Sequence, residues 1–215
     1  MTSIVIIDYG MGNLHSISKA LEHVAQDAHV QVSSRPETIL SADRVVFPGV
    51  GGIRDCMVEL RRLGMDEVIH EAARNRPLLG VCLGMQALLE YSEENDGTDC
   101  LGIIPGRVCR FSEGLADIRS GRRLKIPHMG WNQVHQEGRH PLWRNVPQDS
   151  RFYFVHSYHA ESVQEGHVAA TTDYGVSFPS VIARENVFAM QFHPEKSQHA
   201  GLRILENFVY WDGEQ

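Results

Sequence analysis

In the stretch Leu78-Leu79-Gly80-Val81-Cys82-Leu83-Gly84-Met85-Gln86, a short apolar run passes abruptly into a helical pattern. Pro77 opens it, residues 78–81 are apolar enough for a strand covered on both faces, and Gly84, Met85, Ala87, Leu88 and Leu89 begin a helix. Cys82 falls on the turn between the two. Glycines at 80 and 84 remove side chains that would clash there, the geometry of a nucleophile elbow with Cys in place of Ser. At a helix N-terminus the macrodipole and unpaired backbone N–H groups favour the nucleophilic thiolate. The same pattern also fits a buried structural cysteine, since free Cys is among the most buried residue types.

Outward from the elbow, the chain alternates strands and helices. Residues 4–7 form a β-branched strand, the loop Asp8-Tyr9-Gly10-Met11-Gly12-Asn13 follows, and Leu14, Ile17, Leu21 and Val24 recur at helical spacing with Asn13 placed as N-cap. Strand patterns at 29–32 and 44–47 and a helical stretch at about 55–74 lead into the elbow strand. This order predicts an α/β fold: a doubly wound, mostly parallel sheet with helices on both faces. From about residue 100 the texture changes to short strands at 107–111, 152–155, 168–171, 181–183 and 187–192, read as a smaller, partly antiparallel layer on the same core. Leu202, Leu205, Phe208 and Val209 mark a closing amphipathic helix. At 215 residues, with no linker-like segment, residues 1–215 read as one domain.

Composition narrows the function classes. A net charge of −7 without a basic stripe argues against a nucleic-acid surface. No apolar run approaches the roughly 20 residues of a membrane span. Four cysteines without C-x-x-C spacing, and no secretory leader, predict free thiols and a cytoplasmic location. Cys56, Cys100 and Cys109 read as small buried hydrophobes. Twelve histidines are scattered without H-x-x-x-H spacing, so neither a metal nor another cofactor is expected.

Three further stretches bear on Cys82. In Phe192-His193-Pro194-Glu195, Pro194 keeps His193 extended, and residues two apart on an extended segment point the same way. A nucleophilic cysteine needs a base and the base needs an orienting carboxylate; H-x-E supplies both, although alone it also fits a solvated loop. Phe47-Pro48-Gly49-Val50-Gly51-Gly52 follows a predicted central strand, where open α/β sheets gather ligands. Its backbone N–H groups can join that of Leu83 in facing an oxyanion, or the loop can be a phosphate-binding turn or a simple chain reversal. No Lys-Ser/Thr follows it, which disfavours a Walker loop. Phe152-Tyr153-Phe154-Val155-His156-Ser157-Tyr158 is an alternating strand with a polar end, suited either to holding an amino-acid substrate or to an ordinary half-buried edge.

Gly80-Val81-Cys82-Leu83-Gly84-Met85-Gln86, Pro48-Gly49-Val50-Gly51 and His193-Pro194-Glu195, in that arrangement, resemble the class I, or triad, glutamine amidotransferases. The resemblance spans most of the chain and implies their flavodoxin-like architecture. Asp8-Tyr9-Gly10-Met11-Gly12-Asn13-Leu14 and Pro127-His128-Met129-Gly130-Trp131-Asn132 resemble one branch of the family, a glutaminase subunit that serves a separate cyclase. Gly52-Ile53 stands where alanine and an aromatic are usual, and His159 where a second aromatic is common; neither departure touches the triad. Another branch, such as the glutaminase of vitamin B6 synthesis, shares elbow and triad and is separated by those two segments. A catalytically silent regulatory subunit and a Cys-elbow hydrolase of small esters or peptides are the remaining alternatives.

The resemblance implies that Cys82 attacks the carboxamide of glutamine while Leu83 N–H and an amide of the 49–51 loop, from Val50 or Gly51, stabilise the oxyanion. His193, oriented by Glu195, would move the protons; ammonia leaves, and water releases glutamate from the thioester. Substrate contacts are carried onto Gly49, Gln86, His156, Ser157 and Tyr158. The implied partner is a (β/α)8-barrel cyclase subunit bound as a heterodimer, with Asn13, Trp131, Asn132, Tyr153 and Lys196 at or near the interface. Trp131 also fits a core position. An amidotransferase domain uses up the chain, and ammonia is mostly protonated in neutral water, so a sheltered path to a second polypeptide is expected. The free chain is expected to be nearly inactive until the partner binds its ribonucleotide ligand, with the glycine loop holding the oxyanion amide turned away.

Overall fold

The computed structural model describes residues 1–117 and 120–214. Its strands in chain order are β1 (Thr2–Ile7), β2 (Ala28–Ser33), β3 (Arg44–Gly49), β4 (Leu78–Cys82), β5 (Tyr91–Ser92), β6 (Thr98–Asp99), β7 (Arg107–Arg110), β8 (His128–Gln133), β9 (His135–Gln136), β10 (Arg151–His156), β11 (Tyr158–Glu161), β12 (Val168–Asp173), β13 (Ser177–Arg184) and β14 (Val187–Met190). The α-helices are α1 (Leu14–Val24), α2 (Pro36–Ser41), α3 (Ile53–Leu63), α4 (Met65–Asn75), α5 (Leu83–Ala87) and α6 (Gln198–Tyr210).

Eight strands form one sheet in the order β2-β1-β3-β4-β14-β13-β12-β9. The first five are parallel and the last three antiparallel. Alternation along the central strands builds a core on each face. Ile4 and Ile6 pack with Ile17 and Leu21 of α1 and Ile204 and Phe208 of α6. Val5 and Ile7 pack on the other face with Ile39 of α2, Met57 and Leu60 of α3 and Ile69 of α4. The sheet is therefore wound on both sides, as the alternation of elements predicts.

Strand order reverses at β1, whose neighbours are β2 and β3, and ligands collect beyond the carboxyl ends of strands at such a point. Those ends deliver the loop after Ile7, Gly49 and Cys82 to one place; Gly49 lies opposite Cys82 in the β3–β4 register. On the other side of β4, Met190 lies opposite Val81, so the chain leaving β14 carries Gln191 and His193 past the same edge.

Several local expectations change. The helix expected at about 55–74 is two helices, α3 and α4, divided at Gly64 with a left-handed φ of 65°. The short α2 has too few residues to show periodicity in the sequence. Asn13 stands at the N-cap of α1 but its side chain makes no cap hydrogen bond. The later strands divide between two fates: β12 to β14 continue the main sheet, whereas β8 and β10 form an antiparallel ribbon and β11, β7, β5 and β6 a small separate sheet. The break between β10 and β11 falls at Ser157, where the chain passes from one of these sheets to the other. All four cysteines are unbridged. Among the described residues no helix is long and apolar enough to cross a membrane, and no cluster of His, Cys, Asp and Glu could hold a metal ion.

Candidate active site

Cys82 ends β4 with φ 55° and ψ −111°, a backbone conformation that a residue with a Cβ adopts only under strain. The packing around it enforces the turn. A Cβ on Gly84 would lie 2.0 Å from Phe47 O, and one on Gly80 2.8 Å from Ala189 Cβ, so both glycines of the elbow are there for close approach. Leu83 opens α5, whose first backbone N–H groups have no acceptor within the helix. Because α5 is only five residues long, orientation of these N–H groups matters more here than a macrodipole.

His193 Nδ1 lies 2.9 Å from Glu195 Oε1, and both side chains are 3% exposed. The loop that carries them is fastened to β10: His193 N–H donates to Tyr153 O, and Ser197 Oγ accepts from Tyr153 N–H while donating to His193 O. His193 Nε2 is buried without a hydrogen bond among the described residues. Burial alone would push this imidazole down; the Cys82 thiolate and the Glu195 carboxylate outweigh it and raise His193 to about 10. His193 is thus held protonated through neutral pH. Replacing Glu195 by Gln removes one of the two anions, so His193 loses its proton at lower pH. We expect kcat for glutamine hydrolysis to fall on the order of 10²-fold or more and the alkaline limb of the pH–rate profile to move to lower pH, read from initial rates across pH 6–10. An unmoved alkaline limb would show that Glu195 does not set the charge of His193.

Cys82 and His193 open on a cavity of about 360 Å³ walled by Val50, Gly51, Leu83, Gln86 and residues 155–158. Gly51 has φ +102° and Val50 is 38% exposed, which leaves this loop on the surface beside Cys82. Gly49 is withdrawn from the cavity: it lies behind, with Asn13, His193 and Glu195, and a Cβ there would meet Tyr9 Oη at 2.7 Å. Gln86 turns its amide nitrogen inward, to Tyr158 O at 3.1 Å and Gln191 Oε1 at 2.8 Å. His156 uses both ring nitrogens within the protein, on Tyr158 O and His128, so its ring offers a substrate neither donor nor acceptor. Ser157 O accepts from Phe111 N–H, whereas its hydroxyl makes no hydrogen bond among the described residues.

Trp131 is 38% exposed and stands edge-on to Tyr153, whose ring lies 5.8 Å from Lys196 Nζ, so these three share one surface. Asn132 alternates to the opposite side of β8: its amide donates to Asp173 O at 2.9 Å and lies 3.3 Å from His128 Nε2. Its side chain is therefore not on the face that Trp131 presents. Asn13 is half-buried near His193.

Four residues of this region were given no role by the sequence. Glu94 lines the cavity and accepts from Ile53 N–H at 2.9 Å, a carboxylate suited to an α-ammonium group. Tyr9 Oη donates to Pro48 O at 3.0 Å and anchors the root of the glycine loop, with burial and neighbouring Cys56 keeping it protonated. Gln191 Nε2 reaches Cys82 Sγ at 3.8 Å. His128 pairs with His156 at 2.8 Å. Strand alternation does not mark Gln191, because β14 ends at Met190 and the chain bends at Gln191 and Phe192 before His193. Nothing local marks Glu94 or the His128 pairing.

A strand-to-helix elbow with a strained cysteine, an imidazole–carboxylate pair on the adjacent strand end and a glycine loop beside them define a triad amidotransferase. The chain matches the family described as Glutamine amidotransferase class-I over residues 5–211, and it belongs to that family. It is 59% identical over 213 residues to the imidazole glycerol phosphate synthase subunit HisH of Nitrosococcus oceani, covering 99% of each chain. The subunit of the same name from Methylococcus capsulatus is also 59% identical, over 99% of this chain and 98% of that one. Among solved structures, a glutamine amidotransferase superposes with a TM-score of 0.69 at 18% identity, over 96% of this chain and 99% of the other. One from Thermotoga maritima gives 0.60 at 16% identity, over 90% and 76%.

Proposed function

We propose that this chain, as one domain over residues 1–215, is the glutamine-hydrolysing subunit of an imidazole glycerol phosphate synthase, acting in histidine biosynthesis. The observation that carries the chemistry is the convergence of Cys82, His193 and Glu195 at one end of the sheet. The choice of branch rests on the near-complete overlap with subunits of that name.

Cys82 thiolate adds to the carboxamide carbon, and the electron pair of the C=O moves to oxygen, which receives hydrogen bonds from Leu83 N–H and an amide of Val50 or Gly51. His193 gives its proton to the nitrogen, the C–N bond breaks and ammonia leaves, with a glutamyl thioester on Cys82. Water, relieved of a proton by the neutral imidazole, then hydrolyses the thioester to glutamate. Glu94 and the carbonyl oxygen of Gln86 suit the α-ammonium group, and the Ser157 hydroxyl suits the α-carboxylate.

Ammonia passes to a (β/α)8 cyclase subunit that docks on the surface of Trp131, Tyr153 and Lys196, beside Asn13. Met129 and Trp131, 62% and 38% exposed, give that surface large apolar side chains that a partner would cover. Glutamate release, measured on the chain alone and with the cyclase subunit and its phosphoribulosyl ligand, tests the whole reading. Strong release only in the complete mixture is expected; equal release without the partner would remove the partner and the switch while leaving the Cys82 chemistry. Trp131→Ala should weaken the heterodimer by about 2 kcal/mol, roughly 30-fold in Kd, as read by titration calorimetry.

A further inference from the structure

Strand alternation gives β8 two distinct faces. Met129 and Trp131 point outward and are exposed, whereas His128 and Asn132 point inward. In the β8–β10 register His128 lies directly opposite His156, and the two rings meet at 2.8 Å, His128 Nδ1 to His156 Nε2. His156 Nδ1 in turn lies 2.7 Å from Tyr158 O. A carbonyl oxygen only accepts, so His156 carries its proton on Nδ1, its Nε2 accepts, and His128 carries its own proton on Nδ1 as well. Asn132 Nδ2, 3.3 Å from His128 Nε2, donates to the nitrogen left without a proton. Burial holds both rings neutral: His128 is pushed down to about 4, and His156, with His128 beside it, to about 3.

The order continues to the nucleophile. Tyr158 O also receives Gln86 Nε2 at 3.1 Å; the other hydrogen of that amide goes to Gln191 Oε1 at 2.8 Å; and Gln191 Nε2 then points to Cys82 Sγ at 3.8 Å. Each link has one polarity. A Gln191 carboxamide turned by 180° would set its oxygen against a thiolate. What prevents the turn is that Gln86 presents a donor to Gln191 Oε1, and Gln86 does so because its nitrogen faces two acceptors. A proton moved to Nε2 of His156 would set Nδ1 lone pair against Tyr158 O and push that acceptor away.

The geometry points to His128 as a positioning residue for glutamine hydrolysis: by donating to His156 Nε2 it fixes the tautomer that holds Tyr158 O, Gln86 and Gln191 in the order that places an N–H on Cys82 Sγ. The inference rests on the reading of Cys82 as the glutaminase nucleophile. It also ties the nucleophile to β8, the strand whose outer face carries Trp131, so a displacement of that strand reaches the Cys82 hydrogen bond through one continuous file of buried groups.

Three measurements on the full-length chain test it. In ¹⁵N-histidine NMR at pH 7, both rings are expected neutral with the proton on Nδ1; an Nε2–H tautomer or an imidazolium at either position would overturn the assignment. His128→Leu should slow alkylation of Cys82 by iodoacetamide and lower kcat with the cyclase partner, each by about 10-fold and with a smaller change in KM. His128→Asn, whose amide nitrogen stands in for Nδ1–H, should restore most of both. Unchanged rates in a folded His128→Leu chain, or equal losses in the two variants, would refute the role. Should His128→Leu not fold, Gln191→Leu probes the far end, with the same loss of alkylation expected and an unchanged rate counting against the relay. Absence of glutamate release by the unmodified chain together with the cyclase subunit and its phosphoribulosyl ligand would instead refute the glutaminase reading, while tautomers and alkylation rates still judge the relay.

Discussion

Replacing Cys82 by Ala is expected to lower glutamine hydrolysis by at least about 10⁴-fold while leaving the fold and the glutamine site in place. The attacking atom is lost, and no other thiol can replace it: Cys56 is buried beside Tyr9 and pushed up to about 11, and Cys100 and Cys109 lie outside the cavity wall. Stability should hardly change, because Ala meets the same strained backbone at φ 55° as Cys does. Cys82→Gly separates strain from chemistry. Glycine tolerates this φ, so relief of roughly 1–3 kcal/mol of strain should exceed its extra unfolded-state entropy and raise Tm above that of Cys82→Ala, with activity equally lost. Calorimetric Tm values and a coupled glutamate assay decide both points. Activity within 10²-fold of the parent in Cys82→Ala would mean that hydrolysis does not pass through this thiol.

Gly84→Ala carries the largest expected stability effect. Helix propensity favours Ala over Gly by up to about 1 kcal/mol, and an exposed helix would gain accordingly. Here the new methyl would lie 2.0 Å from Phe47 O and 3.0 Å from Phe47 C, main-chain atoms of β3 in the centre of the sheet. They cannot move without breaking the β3–β4 pairing that sets Gly49 opposite Cys82. We expect a loss of about 3 kcal/mol or more, near 10 °C in Tm for a chain of this size, accompanied by loss of activity as the elbow shifts. Gly166→Ala is the control, since a Cβ there meets nothing within 4 Å, and it should stay within about 0.5 kcal/mol of the parent. A Gly84→Ala chain that melts within 2 °C of the parent would show that the elbow yields cheaply.

The parts of the site that could be read in advance are those encoded by short range order. Cys82 between two glycines shows its geometry within a few residues because turn sterics act locally. His193 is extended as its proline predicts, but Glu195 meets it from a 3-10 turn over Pro194–Lys196 and not by strand alternation. Other residues have settings that the sequence did not show. His156 stands in a stretch suited to substrate, yet both its ring nitrogens are taken up by Tyr158 O and by His128, a residue 28 positions earlier. Asn132 follows Trp131 in sequence and so faces the other way. Gly49 gives room to the Tyr9 hydroxyl instead of reaching the cavity. The long helix expected at 55–74 missed a single left-handed glycine, because both halves keep helical periodicity across it.

By itself, then, the sequence determined the wound α/β architecture, the elbow at Cys82 and the closeness of His193 to Glu195, all consequences of periodicity and steric allowance over a handful of neighbours. Only the tertiary structure decided which antiparallel strands prolong the main sheet, that Glu94 and Gln191 enter the site, and that His128 answers His156. These depend on strand order and register, which bring together residues more than a hundred positions apart, as Gln191 and Cys82 are. The free energy that selects such a register is summed over two whole cores, so no single segment carries its mark.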